Sequence, residues 1–216
     1  MRKSRKFLGA GLVLALAVTA YAGGWAVLTV QNLPEYFVAG TPSSLVFKIR
    51  QHGRTLVDGV SPSISVSEKS GLTAKVVFTL PQAGDWTIAA SGLLLGDDLK
   101  LLPVRAVRAG ETPPSLSAVS QGERLFLAKG CITCHANKDV AAAASVRSLE
   151  IGPDLTGRKY PASFLKDVLT DPQKALKKKP SETWEMPNLG LSQAEIDALS
   201  AFMNRERTAA KPVATR

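Results

Sequence analysis

Between residues 25 and 108, apolar positions recur at every second residue in short runs. Leu45, Phe47 and Ile49 alternate with Val46, Lys48 and Arg50, the period of a strand with one buried face. Ala26–Val30, Ser63–Val66, Lys75–Leu80 and Trp86–Ala90 are further short runs rich in β-branched or aromatic residues. Leu99–Val107 reads as a last strand, with Pro103 near its edge. Turn-forming residues separate the runs, at Ala39-Gly40-Thr41-Pro42, His52-Gly53, Asp58-Gly59 and Gln82-Ala83-Gly84-Asp85. Short strands at this spacing predict an antiparallel β-sandwich over residues 25–108.

The pattern then changes. Residues 109–119 form a linker that Pro113-Pro114 stiffens. Beyond it the apolar spacing becomes helical. Ser120-Gln121-Gly122-Glu123 has the form of a capping box ahead of Leu125 and Phe126. A second helix is expected over Ala162–Thr170, stopping before Pro172. A third starts at Ser192, again with a glutamate three residues on at Glu195, and runs to about Arg205. Its Ile196, Leu199, Phe202 and Met203 share one face. Ala141–Ala144 is a small low-complexity patch, and there is no internal repeat. The expected fold class is therefore α+β with two domains. An N-terminal antiparallel β-sandwich is followed by an all-α domain over residues 120–207, and residues 208–216 form a tail.

The N-terminus has its own pattern. Arg2, Lys3, Arg5 and Lys6 precede an uncharged run of 14 residues, Phe7–Ala20, and Ala20-Tyr21-Ala22 offers small residues for cleavage. This is the three-part form of a secretory signal over residues 1–22. The uncharged stretch continues to Val30, long enough for an uncleaved membrane anchor. Against an anchor, Gly23-Gly24 interrupts the run, and Trp25–Val30 reads better as a strand. Either reading keeps the basic end in the cytoplasm. The folded part is then expected in the bacterial periplasm or on the outer face of the cytoplasmic membrane.

Composition narrows the classes further. The chain has 216 residues, 45% hydrophobic and 21% charged, which excludes a disordered tail and a multi-span membrane protein. The formal net charge is +9, and four of the basic residues lie in the signal segment. The mildly basic remainder suits acidic protein partners or anionic lipid. No basic stripe interleaved with aromatics and no base-reading motif is present, so no nucleic-acid partner is expected.

The chemistry is concentrated in Cys131-Ile132-Thr133-Cys134-His135. C-x-x-C-H is the attachment signature of c-type haem. Thiols three positions apart on one helical turn can form thioethers to the two vinyl groups of the porphyrin. The adjacent histidine is then held under the iron. Two other readings of C-x-x-C compete. A structural zinc site needs about four ligands, whereas the chain has two cysteines and two histidines, with His52 on a distant strand end. A redox dithiol belongs in a βαβ setting, which the surrounding pattern lacks. One covalently attached haem c is the expected cofactor. Methionine or histidine then fills the opposite axial position. Met203 lies on the apolar face of the last helix and reads as core, and His52 would require the β part to reach across. Met186, in Trp184-Glu185-Met186-Pro187-Asn188, is the expected iron ligand with His135.

With these motifs in order, residues 120–207 resemble a small monohaem c-type cytochrome of the His/Met kind. Gly122-Glu123-Arg124-Leu125-Phe126 leading into Lys129-Gly130-Cys131 is similar to the family's first helix. The resemblance implies that Gly122 and Phe126 meet Leu199 and Phe202 where the first and last helices cross. Gly152-Pro153-Asp154-Leu155 resembles the segment after the haem motif. There the Pro153 carbonyl would accept the Nδ1 proton of His135, and Leu155 would pack on the haem. Arg158 is a candidate partner for a propionate, with a solvated surface arginine as the plain alternative. Ala136–Glu150 departs from the shortest family members through its alanine-rich stretch. The β part resembles immunoglobulin-like modules of exported proteins, a likeness from which no site is transferred.

A haem with both axial positions filled implies one-electron transfer. The expected role is a carrier or relay in a respiratory or other membrane-associated redox chain, as a free protein or a subunit of a larger oxidoreductase, and not an enzyme in itself. A haem-based sensor and a catalytic haem with an openable sixth position are the alternatives. Lys174-Ala175-Leu176-Lys177-Lys178-Lys179 is either a basic rim that steers an acidic or membrane-bound redox partner, or a solvated face.

Overall fold

The computed structural model describes residues 26–51, 55–56, 66–70, 73–90, 99–140, 148–177 and 185–206. The expected signal segment, His52, the Asp58-Gly59 turn, Ala141–Ala144, Lys178-Lys179, Trp184 and the expected tail lie outside them, as does all of Ser63–Val66 except Val66.

The alternation at Leu45–Arg50 forms the centre of the larger sheet. β3 (Ser43–Gln51) pairs antiparallel with β1 (Ala26–Val30), setting Leu28 opposite Ile49 and Val30 opposite Phe47. Its other edge pairs with β6 (Thr73–Phe78) and, further along, β4 (Thr55–Leu56). β5 (Val66–Ser70) completes the sheet beside β6. Leu45, Phe47 and Ile49 are buried, as the period of two requires.

The second sheet departs from expectation. β2 (Tyr36–Val38) and β10 (Val104–Val107) run parallel, and β7 (Gly84–Trp86) pairs antiparallel with β10. An all-antiparallel arrangement therefore does not hold. Most of the β-rich part separates β2 from β10, and a connection that long lets the chain return in the same direction. The expected strand Leu99–Val107 splits into β9 (Leu99–Lys100) and β10, with Pro103 between them. Proline has no N–H to donate to a ladder. Trp86–Ala90 splits likewise, its end forming β8 (Ala89–Ala90) against β9. Phe37, Val104 and Ala106 from the smaller sheet share one core with Leu28, Val30, Leu45, Phe47 and Ile49 from the larger. Phe37 meets Phe78 edge to face, with ring centroids 5.3 Å apart.

The C-terminal part is helical. α1 (Ala118–Ala128) starts earlier than the sequence suggests, so Ser117, not Ser120, is its cap. Ser117 Oγ accepts the Ser120 N–H at 3.1 Å, and the two hydroxyls lie 2.9 Å apart. Serines occur at both positions, and the helix uses the one that adds a turn. α2 (Cys131–Cys134) is a single turn, and α3 (Ala162–Thr170) spans the expected residues. α4 (Pro172–Leu176) was not expected. Pro172 opens it at the first helical position, where a missing N–H costs nothing, and Asp171 caps it through the Lys174 N–H. α5 (Gln193–Met203) carries the full capping box, in which Ser192 and Glu195 bond each other's backbone.

α1 and α5 cross closely. A Cβ on Gly122 would overlap the Ala198 carbonyl oxygen and fall 2.6 Å from Phe202 Cβ. Phe126 and Phe202 pack with centroids 5.6 Å apart, and Leu199 lies buried in the same cluster. Each such fully buried side chain contributes about 1.5–3 kcal/mol. Met203 belongs to this cluster too, so its core reading holds.

The two parts also touch each other. Ala128, at the end of α1, joins the β core, and Leu102 packs against the helical core. β1 is an edge strand, yet Val27 and Thr29 are buried along with Leu28 and Val30. The turn at Gly130 covers Val27, and Thr29 Oγ1 donates to the Lys48 carbonyl. Part of β1 is thus covered by the neighbouring helical part.

Candidate functional site

The turn that carries the two cysteines is built by the end of α1. Lys129 closes that helix through its N–H to Leu125 O at 2.8 Å. Gly130 then takes φ +69°, a left-handed conformation glycine adopts without penalty, and redirects the chain into α2. Ile132, 2% exposed, pins α2 to the helical core. Cys131 and Cys134 are spaced one turn apart and therefore share a face of α2. No disulfide joins them. Burial pushes Cys131 up to about 12, with the neighbouring Cys134 adding to the effect, and pushes Cys134 up to about 11. Cys131 packs against the helical core.

His135 leaves α2 in extended conformation. The following segment clasps it. Leu149 N–H donates to Thr133 O at 2.8 Å, Gly152 N–H to Cys134 O at 2.9 Å, and Leu155 N–H to Ala136 O at 2.8 Å. The clasp brings Pro153 O to 3.0 Å from His135 Nδ1, the contact the resemblance implied. A carbonyl oxygen only accepts, so Nδ1 carries the proton and Nε2 keeps its lone pair. Gly152 lies flat against the ring, and a Cβ there would fall 2.5 Å from Nδ1 and 2.9 Å from Nε2. Burial holds the ring's pKa below the ordinary histidine value, partly opposed by the bond to Pro153. The ring is neutral near pH 7.

The other expected residues are placed as follows. Leu155 is half-buried against the helical core. Arg158 is exposed, and its backbone N–H donates to Leu155 O at 3.2 Å. Met186 is half-buried on a segment suspended from α3 and α4. Gln173 Nε2 donates to Met186 O at 2.8 Å, and Asn188 Nδ2 donates to Thr170 O at 3.2 Å. Among the described residues, no group of three or more His, Cys, Asp or Glu side chains gathers as an independent metal site.

Two contributors were not legible in the sequence. Arg124 and Lys129 on α1 are 5% and 3% exposed. Arg124 donates to Glu35 O at 3.0 Å and to Pro34 O at 2.9 Å. Burial lowers its pKa, an effect that Glu35 opposes. Lys129 Nζ donates to Gln31 O at 3.2 Å and pairs with Glu195 Oε1 at 2.7 Å. The available signal was a cation on each side of the apolar run Leu125–Ala128.

The donor set suits a haem. Two thiols occupy one turn, an imidazole keeps a free Nε2, and a glycine makes room for the ring. A helical fold crossed at Gly122 and carrying this turn is a c-type cytochrome domain, and its prosthetic group is covalently bound haem c. Residues 117–203 match the family described as cytochrome C oxidase, cbb3-type, subunit III. No curated protein matches the chain. A cytochrome c domain transfers electrons.

Proposed function

We propose that this chain is an exported monohaem cytochrome that relays single electrons between redox proteins. When bound, the haem supplies a one-electron Fe(III)/Fe(II) couple. Cys131 and Cys134 would hold it by thioethers, and His135 Nε2 and Met186 Sδ would ligate its iron. Pro153 fixes the histidine ring and raises its basicity, Leu155 would pack on the porphyrin, and Arg158 would partner a propionate. The observation that carries this reading is the His135–Pro153 bond, which leaves Nε2 as the donor atom. With His135 and Met186 both ligating, the iron would offer no open position to substrate, which favours relay over catalysis or gas sensing. Thioether ligation favours the reduced state and a raised potential.

The signal-like N-terminus supports export, with residues 1–22 either cleaved or anchoring. Residues 25–108 are read as an immunoglobulin-like sandwich, residues 109–119 as a linker and residues 120–207 as the cytochrome domain. Among the described residues, no helix is long and apolar enough to cross a membrane. Leu176, exposed on α4 within the basic sequence run 174–179, suits an acidic or membrane-bound redox partner.

The test is made on purified holoprotein. A single covalent haem with a low-spin, methionine-ligated spectrum is expected. Met186→Ala abolishes the methionine–iron charge-transfer band and lowers the midpoint potential. An unchanged band in that variant refutes the ligand assignment. Rapid CO binding by the unmodified reduced protein would favour the sensor or catalytic role.

A further inference from the structure

We propose that Lys129 is a positioning residue for the Cys131–His135 turn, through which the β-rich part of the chain helps set the environment of the haem. The inference rests on the reading of that turn as the haem-holding segment. Lys129 lies two residues before Cys131 and is buried. Its single ammonium joins three parts of the molecule. From the end of α1 it donates to the carbonyl of Gln31 just after β1 and pairs with Glu195 at the start of α5. The remaining carboxylate oxygen of Glu195 accepts the Ser192 N–H at 2.9 Å, so both oxygens are engaged.

The next residue reinforces the link. Gly130, in its left-handed conformation, lies flush against β1. A Cβ there would stand 2.5 Å from Val27 Cγ1 and 2.8 Å from Leu28 O. Glycine is the natural hinge of this turn. β1 blocks the hinge on one side, and Lys129 ties its N-terminal arm. Both contacts come from residues 27–31, outside the cytochrome match at 117–203. A buried ammonium is costly unless its partners are well placed, so this pair defines one arrangement of the three elements more than it adds stability.

A simple structural staple would alter stability and nothing else, and the experiment separates the two. Lys129→Met, Lys129→Arg and Val27→Ala are made in the full-length holoprotein. Circular dichroism in the haem bands, the midpoint potential and the thermal midpoint are recorded. Lys129→Met is expected to change the shape of the haem dichroism and lower the potential, because Glu195 is left as an uncompensated negative charge that favours ferric haem. Lys129→Arg keeps the wild-type dichroism. Val27→Ala changes no charge but loosens the Gly130 contact, so it alters the dichroism.

Lys129→Met and Val27→Ala variants that lose thermal stability while keeping wild-type dichroism and potential would overturn the proposal. So would a Lys129→Arg variant that behaves like Lys129→Met. If Lys129→Met does not accumulate, Val27→Ala decides alone by the same dichroism criterion. Wild-type protein without covalent haem would instead refute the underlying reading of the turn.

Discussion

His135 shows how little space its ring is allowed. One nitrogen is committed to Pro153 O, and one face lies against Gly152. Gly152→Ala places a methyl group inside van der Waals contact of the ring, and the ring or the clasping segment must shift. Overpacking of this kind costs about 1–3 kcal/mol. The variant holoprotein should therefore unfold at lower guanidinium concentration, followed at the haem absorption, and a wild-type midpoint would mean the clasp yields freely. At this scale the sequence was informative wherever the chemistry is local. The cysteine spacing, the adjacent histidine and the Gly-Pro pair each carry their meaning within a few residues. Arg124 and Lys129 do not. Their acceptors lie roughly 90 to 100 residues earlier in the chain, and nothing local distinguishes a buried cation from a solvated one.

Helix ends are where elements depart from their sequence signals. Ser117 and Ser120 both suit a cap, and the structure gives the role to Ser117. Ser117→Ala removes the acceptor for the Ser120 N–H and should cost about 1 kcal/mol. Ser120→Ala loses only a hydroxyl contact on an exposed turn and should cost well under half of that. Chemical denaturation of the two holoproteins checks the order, and a larger loss at Ser120 would restore the cap the sequence suggested. Other elements were legible in proportion to the length of their pattern. The nine residues of β3 and the eleven of α5 each repeat a period several times. β2 has three residues, too few to show one. α4 was hidden because Pro172 can stop a helix or start one, and Asp171 decides between them by capping.

At the scale of the whole molecule, the question is whether the two parts form one body or two bodies on a string. Residues 108–112 are exposed and run on the surface toward Pro113-Pro114. Polar contacts between the parts are buried at Arg124 and Lys129, and Val27 and Leu28 of β1 abut Gly130. A covalent linker alone provides an effective concentration in the millimolar range, so weak contacts would separate once it is cut. With a specific protease site inserted between Gly110 and Glu111, the nicked holoprotein should still elute as one species in gel filtration. Arg124→Ala leaves the carbonyls of Pro34 and Glu35 without their donor. A hydrogen bond from a charged group contributes about 1.5–3 kcal/mol, and each 1.4 kcal/mol weakens association about tenfold. The nicked Arg124→Ala protein should therefore separate into a colourless β-rich fragment and a red helical one at concentrations where the nicked wild type stays whole. Separation of the nicked wild type itself would show that the linker, and not the buried face of α1, holds the parts together.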